Sequence, residues 1–246
     1  MKLQVSVHAR NVPGLTQVRS LAFDIFGTVV DWRRTIVREG VQLGSSVDWG
    51  SFADEWMQGY RSQVERVRKG ERPWANLDAL LQETFEGLVV KYKLGKLPAK
   101  RVRYLSEAWH RLRPWRDVLP GLARLSKRYT LGTLSNGNMI LLTDMKRYSK
   151  LPWDCILSAE LCERYKPEKE AYTLAASFLG PESTQVMYVA SHKWDLTAAA
   201  QTVGLRTAFI PRPKEMPGID PSELKPDPSY DINAKDLMDL ATQLGC

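Results

Sequence analysis

Asp24 closes a short apolar run, Val18 to Phe23, and is followed by Ile25-Phe26-Gly27-Thr28. A strand end holds an acid rigidly, and the glycine lets the backbone turn closely around a ligand. A carboxyl of ordinary acidity, pKa ~3.9, is ionised at neutral pH. Such a carboxylate can attack carbon or phosphorus and form an ester or an acyl phosphate. Alone, an Asp before a turn is as readily a helix cap. Later segments add chemistry. Thr133-Leu134-Ser135-Asn136-Gly137-Asn138 puts a hydroxyl and an amide at a second strand end. Tyr165-Lys166-Pro167 supplies a cation just before a helix, with Tyr172 nearly two turns further on. Val189 to Asp195 ends a third strand, carries Ser191-His192, and sets a second acid, Asp195, at a helix start.

These side chains meet only if the strand ends meet. Thr130 to Leu134, Gln185 to Ala190 and Arg206 to Ile210 have the strand character of the first run. Helix-period stretches lie between them: Met139 to Tyr148, Lys169 to Leu179 and Asp195 to Val203. Strands alternating with helices predict a parallel sheet covered on both faces. Ligands bind beyond the carboxyl ends of such strands.

The stretch from about Trp32 to Trp115 has no convincing strand. Trp49, Phe52, Trp56, Tyr60, Val64 and Val67 recur at intervals of three and four, which is one apolar helix face. Leu77, Leu80, Leu81, Phe85, Leu88 and Val89 continue it after a turn at Arg72-Pro73. The reading is a helical insert between the first strand and the rest of the sheet, placed to form a lid. After Ile210 the chain is Pro-rich and reads as an extended surface segment. A last helix, Ala234 to Leu244, carries Leu237, Leu240 and Leu244 on one side.

The 246 residues are 43% hydrophobic and 26% charged, an ordinary globular composition. The net charge is +7, and its densest cluster, Lys96 to Arg116, mixes cations with Tyr104, Trp109 and Trp115 at helical spacing. That reads as a solvated face over buried aromatics, not a nucleic-acid groove. A positive field draws in small anions. No apolar run approaches the ~20 residues of a membrane span. Met1 to Pro13 lacks a secretory pattern, so the expectation is a cytoplasmic protein with a short, poorly ordered lead-in. Cys155, Cys162 and Cys246 make no disulfide framework, and His8, His110 and His192 are too scattered for a metal site.

In this order, the four segments resemble the haloacid dehalogenase superfamily, and the likeness spans nearly the whole chain. It implies an α/β fold: a Rossmann-like doubly wound parallel sheet core, residues 1–32 and 116–246, with a helical cap at 33–115. The superfamily consists mainly of magnesium-dependent phosphatases carrying Asp-x-Asp, whose second Asp is a general acid. Phe26 stands at that position here, and Asp195 has no adjacent carboxylate. Both changes point away from a metal. The pattern is similar to the 2-haloacid dehalogenase branch, which needs neither metal nor cofactor.

The resemblance implies that Asp24 displaces halide from a small anionic 2-haloacid and forms an ester. Water then attacks the ester carbonyl and releases a 2-hydroxy acid. Thr28 and Ser135 match positions that bind the Asp or the substrate carboxylate, and Asn136 one lining the leaving-group side. Lys166 matches the family lysine. Tyr172 and Asp195 match supporting and water-activating positions. Family dehalogenases carry an Arg after the Trp of the first cap helix. Here Met57 follows Trp56, and a thioether cannot replace a guanidinium fork. Arg61, one turn on and on the same face, is a candidate substitute, and the alternative is a shifted register of the match. His192 replaces a family Asn, and Ala190 a neighbouring Ser. His192 reads either as a base for the hydrolytic water or as a hydrogen-bonded structural residue. A homodimer is implied by resemblance alone, with no nucleic-acid or membrane partner. Competing readings are cleavage of another carbon–heteroatom bond, such as C–N of a strained ring, a weakly active binding protein, and last a phosphatase.

Overall fold

The computed structural model describes residues 15–44 and 46–246; the expectation for Met1 to Pro13 lies outside them. Strand β1 (Ser20–Phe23) and strand β5 (Val186–Ala190) are buried along their whole length. Near-continuous apolar strands belong to parallel sheets covered on both faces. They pair accordingly. The sheet order is β4 (Thr130–Thr133), β1, β5, β6 (Arg206–Phe209), β7 (Ile232–Asn233), and every pairing is parallel. The chain crosses from β1 to β4 on one side and then to β5 on the other. That reversal at β1 is where such sheets open a crevice.

Register makes the crevice specific. Phe23 is level with Thr133 on one side and with Val189 on the other. The next residues, Asp24 and Leu134, therefore leave their strands together, while β5 runs one residue further to Ala190 before Ser191-His192. Covering helices are α5 (Val118–Leu125), α6 (Met139–Ser149), α7 (Lys169–Phe178), α8 (Lys193–Val203) and α9 (Leu237–Gln243). Leu237 and Leu240 of α9 are fully buried, as their spacing predicts.

Helices α1 (Trp32–Val41), α2 (Trp49–Arg68), α3 (Leu77–Lys91) and α4 (Ala99–Ser106) form the insert. Asp48 caps α2 by accepting from Gly50 and Ser51 N–H, and Asn76 caps α3 by accepting from Ala79 N–H. The α2 stripe is buried from Trp49 to Val64. Phe52, Trp56 and Phe85 pack edge-on or tilted within 4.8–6.1 Å, and Trp109 joins Trp56 at 5.7 Å.

Two sequence expectations need correction. The insert is not strand-free. Strand β2 (Val30–Asp31) pairs antiparallel with β3 (Arg113–Pro114) and ties the two ends of the insert together. Two-residue strands with a proline fall below any alternation signal. The Pro-rich tail is also more than surface. It contributes β7 and buries Arg212 and Glu215, at 7% and 4% exposure.

Candidate active site

Asp24 is 5% exposed, and different donors hold its two carboxylate oxygens. Lys166 Nζ donates to Oδ1 at 2.9 Å, and Thr28 Oγ1 donates to Oδ2 at 2.6 Å. Thr28 Oγ1 in turn accepts from Ser191 N–H at 2.8 Å and lies 3.0 Å from Ser191 Oγ. Burial alone would raise the Asp24 pKa. The Lys166 ammonium, with His192 and the Thr28 hydroxyl, outweighs it and holds the carboxyl well below the usual range. The group is an anion at any physiological pH.

Lys166 also donates to Asp195 Oδ2 at 2.6 Å and Tyr188 Oη at 2.7 Å, so three oxygens surround the ammonium. Burial opposes its charge, but Asp195 and Asp24 together hold its pKa above the ordinary 10.5. Asp195 is fully buried and its Oδ1 accepts from Tyr172 Oη at 2.6 Å. Asp195, Tyr172 and Tyr188 thus form a layer behind Lys166, not on the cavity wall. Ser135 is 1% exposed and its Oγ accepts from Gly137 N–H at 3.1 Å; it too stays off the wall. Asn136 does reach the wall, fixed by Lys166 N–H donating to its Oδ1 at 2.9 Å.

Sequence reasoning missed Glu215. His192 Nδ1 lies 3.6 Å from Asp24 Oδ2, and its Nε2 lies 3.1 Å from Glu215 Oε2. The ring therefore bridges two buried carboxylates. Burial would lower the His192 pKa, but Glu215 and Asp24 raise it to about 10. Trp32 Nε1–H donates to Glu215 Oε1 at 3.1 Å and fixes that carboxylate. Gly27 makes room for it. With φ at +86°, a Cβ on Gly27 would sit 2.3 Å from Glu215 Oε1. Trp115 Nε1–H donates to Gly27 O at 2.8 Å, and Arg212 Nε–H donates to Thr28 O at 2.9 Å. Arg212 is itself held by a bidentate pair with Asp117 at 2.8 and 2.9 Å. The strand-end rule that located Asp24 and His192 does not reach Glu215, which lies six residues beyond the end of β6 at Phe209.

The His192 arrangement has a measurable consequence. A proton held to about pH 10 in the folded protein, against an ordinary 6.5, stabilises fully below pH 6.5. That contribution shrinks as pH rises and is gone above 10. The Tm should therefore fall between pH 7 and 10, and His192→Gln should flatten the fall by a few degrees. Parallel declines in both proteins would refute a protonated His192.

These groups open on a cavity of about 590 Å3. Met57, Tyr60, Arg61 and Val64 of α2 line it, as do several tail residues between Glu215 and Leu224. Phe26 lines it too, its ring 5.6 Å from Trp109 and edge-on to it. Arg212 and Arg68 are ion-paired, with Asp117 and with Glu65 and Glu168 respectively. Arg61 is exposed and has no carboxylate partner among the described residues.

A magnesium site does not fit these residues. The cation between Asp24 and Asp195 is the Lys166 ammonium, and apolar Phe26 stands two residues after Asp24. Among the described residues, no group of three His, Cys, Asp or Glu side chains is arranged to hold a metal ion. No helix among them is long and apolar enough to cross a membrane. The arrangement suits displacement at carbon: a permanently ionised carboxylate, no proton donor in the position of a leaving-group acid, and an imidazole beside it.

Comparison with known proteins agrees. The (S)-2-haloacid dehalogenase 4A of Burkholderia cepacia is 29% identical over 211 residues, covering 85% of this chain and 89% of that one. A solved L-2-haloacid dehalogenase is 39% identical, with a TM-score of 0.85, covering 93% of this chain and all of that one. A solved defluorinating L-2-haloacid dehalogenase is 38% identical, also with a TM-score of 0.85, covering 93% and 96%. The family model of haloacid dehalogenase-like hydrolases matches residues 18–202, from the first strand through the His192 segment. The chain belongs to the haloacid dehalogenase-like hydrolases.

Proposed function

We propose that the protein hydrolyses 2-haloacids to 2-hydroxy acids through an ester on Asp24. The observation that carries this is a buried, ionised carboxylate facing a cavity, with Phe26 where an acid for a phosphate leaving group would stand. Halide leaves as an anion and needs no proton.

In the first step an Asp24 oxygen attacks the carbon bearing the halogen. The carbon–oxygen bond forms as the carbon–halogen bond breaks, and halide departs. Thr28 and Lys166 hold the carboxylate plane so that attack starts from a fixed orientation. Arg61 is the free cation of the walls and pairs with the substrate carboxylate. Met57 and Phe26 supply apolar contact, and Asn136 lines the leaving-group side.

Esterification removes the negative charge of Asp24. His192 then keeps only Glu215 as a carboxylate partner, its pKa falls, and its proton escapes to solvent. The neutral imidazole takes a proton from water, which attacks the ester carbonyl. Lys166 stabilises the developing oxyanion. Collapse expels the alkoxide, which takes the proton from His192. The acid left on Asp24 then passes the water's second proton to the imidazole, restoring the ionised carboxylate and the protonated His192. Glu215 orients the ring, while Asp195, held by Tyr172 and Tyr188, orients Lys166. Ser135 supports its loop through Gly137. Residues 33–115 act as the cap, stemmed by the β2/β3 ribbon. A cytoplasmic setting and a homodimer accompany this reading, the dimer being tested by sedimentation.

Bromoacetate or 2-chloropropionate should release stoichiometric halide with chelator present. A single turnover in 18O-labelled water should put the label in Asp24 and not in the hydroxy acid. No halide from several haloacids, together with phosphatase activity in magnesium, would overturn the reading. Label in the product after one turnover would overturn the ester.

A further inference from the structure

The cavity is larger than the reaction requires. It measures roughly 590 Å3 and is partly open to solvent, whereas a three-carbon haloacid has a handful of heavy atoms. Pockets of that size enclose drug-sized ligands. The excess is apolar. Near Asp24 the wall residues Phe26, Met57 and Tyr60 are at most 7% exposed. Further out lie Val64 from α2 and half-buried Met216, Ile219 and Leu224 from the tail. Trp194 stands at the mouth, 50% exposed, its ring stacked against His192 at 6.2 Å. A half-exposed tryptophan beside three half-buried aliphatic side chains is apolar surface left for something to cover. The charges of this outer region, Glu65, Arg68, Asp220 and Glu223, belong to exposed or half-exposed residues, as on a polar rim.

One occupant matches this layout. It must carry a carboxylate for Arg61, an α-carbon for Asp24, and an apolar group continuing from that carbon along the Val64–Ile219–Leu224 channel. We infer that the preferred substrates are 2-haloalkanoic acids with an unbranched apolar chain of four or more carbons beyond the α-carbon. This rests on the Asp24 ester reading above and extends it from reaction to substrate class. A bound chain would cover Trp194 and the aliphatic walls at once, and each buried methylene would add to binding through the hydrophobic effect.

The test is a homologous series from 2-bromopropionate to 2-bromohexanoate, read as kcat/KM for bromide release. Each added methylene should raise kcat/KM about twofold to fourfold. Leu224→Asp and Ile219→Asp should each lower kcat/KM for 2-bromohexanoate at least tenfold more than for 2-bromopropionate. A flat or falling series in an enzyme that turns over 2-bromopropionate would overturn the inference and leave the reaction standing. So would equal losses on both substrates in both variants. No bromide from any member of the series would instead remove the reaction, and the inference with it.

Discussion

Asp24→Asn should reduce halide release by more than about 10³-fold for every haloacid tested. An amide oxygen is a poor nucleophile, and the other buried carboxylate of the cavity wall, Glu215, is held by His192 and Trp32. The basic groups beside Asp24 are Lys166 and His192, and both are held as cations by their carboxylate partners. Folding should survive the change. Lys166 keeps Asp195 and Tyr188, and the amide oxygen can still accept from Thr28. The variant's Tm should stay within several degrees of the parent's. Binding of 2-chloropropionate, followed by calorimetry, should persist, since Arg61 and the apolar walls are untouched. Turnover above a tenth of the parent's would remove Asp24 from the chemistry. Loss of binding along with turnover would instead mark Asp24 as part of ligand recognition.

The sequence carried the sheet and the nucleophile because both follow short-range rules. A buried run ending in Asp24-x-x-Gly27-Thr28 marks a strand end. The register of Phe23 with Thr133 and Val189 then gathers Asp24, Asn136 and the Ser191-His192 turn without further design. Glu215 was not legible for the opposite reason. Its partners His192 and Trp32 lie 23 and 183 residues away, in a stretch with neither helical nor strand period. Only folding reveals that Gly27 is small for the sake of that carboxylate as well as for its own φ. Tyr188 was hidden differently. It reads as an ordinary strand residue, yet a buried tyrosine hydroxyl needs a partner, and here it has Lys166 and Asp195. Met57 was legible as a departure from the family pattern. It lines the cavity beside Arg61, so the departure falls on the substrate-facing wall and leaves the Asp24–Lys166 pair intact.

Lys166 joins stability to chemistry, and Lys166→Met separates them. The substitution keeps a long apolar stem but leaves Asp24 and Asp195 as neighbouring buried anions. Removing one partner of a buried ion pair typically costs about 3–5 kcal/mol. For a chain of this size that is a Tm loss of roughly 6–20 °C. The pH dependence has a definite sign. In the parent, the Lys166 pKa is raised, so its contribution is intact at pH 7.5 and is lost only above the ordinary 10.5. Asp24 is shifted down, so its contribution is present above the ordinary 3.8 and fades as pH falls further. In the variant, the burial of Asp24 is no longer opposed by the Lys166 ammonium, and its pKa rises. Its carboxyl then takes a proton more readily on acidification, and the Tm deficit should shrink between pH 7.5 and 5. Adding Asp195→Asn should recover part of the stability, because it removes one of the two anions and leaves an amide for Tyr172 and Tyr188. It should not recover turnover, because the oxyanion of ester hydrolysis still lacks its ammonium. A double variant regaining both stability and halide release would show that Lys166 serves only to hold the fold. Recovery of stability alone, with kcat at least about 10²-fold below the parent's, assigns the ammonium to the reaction.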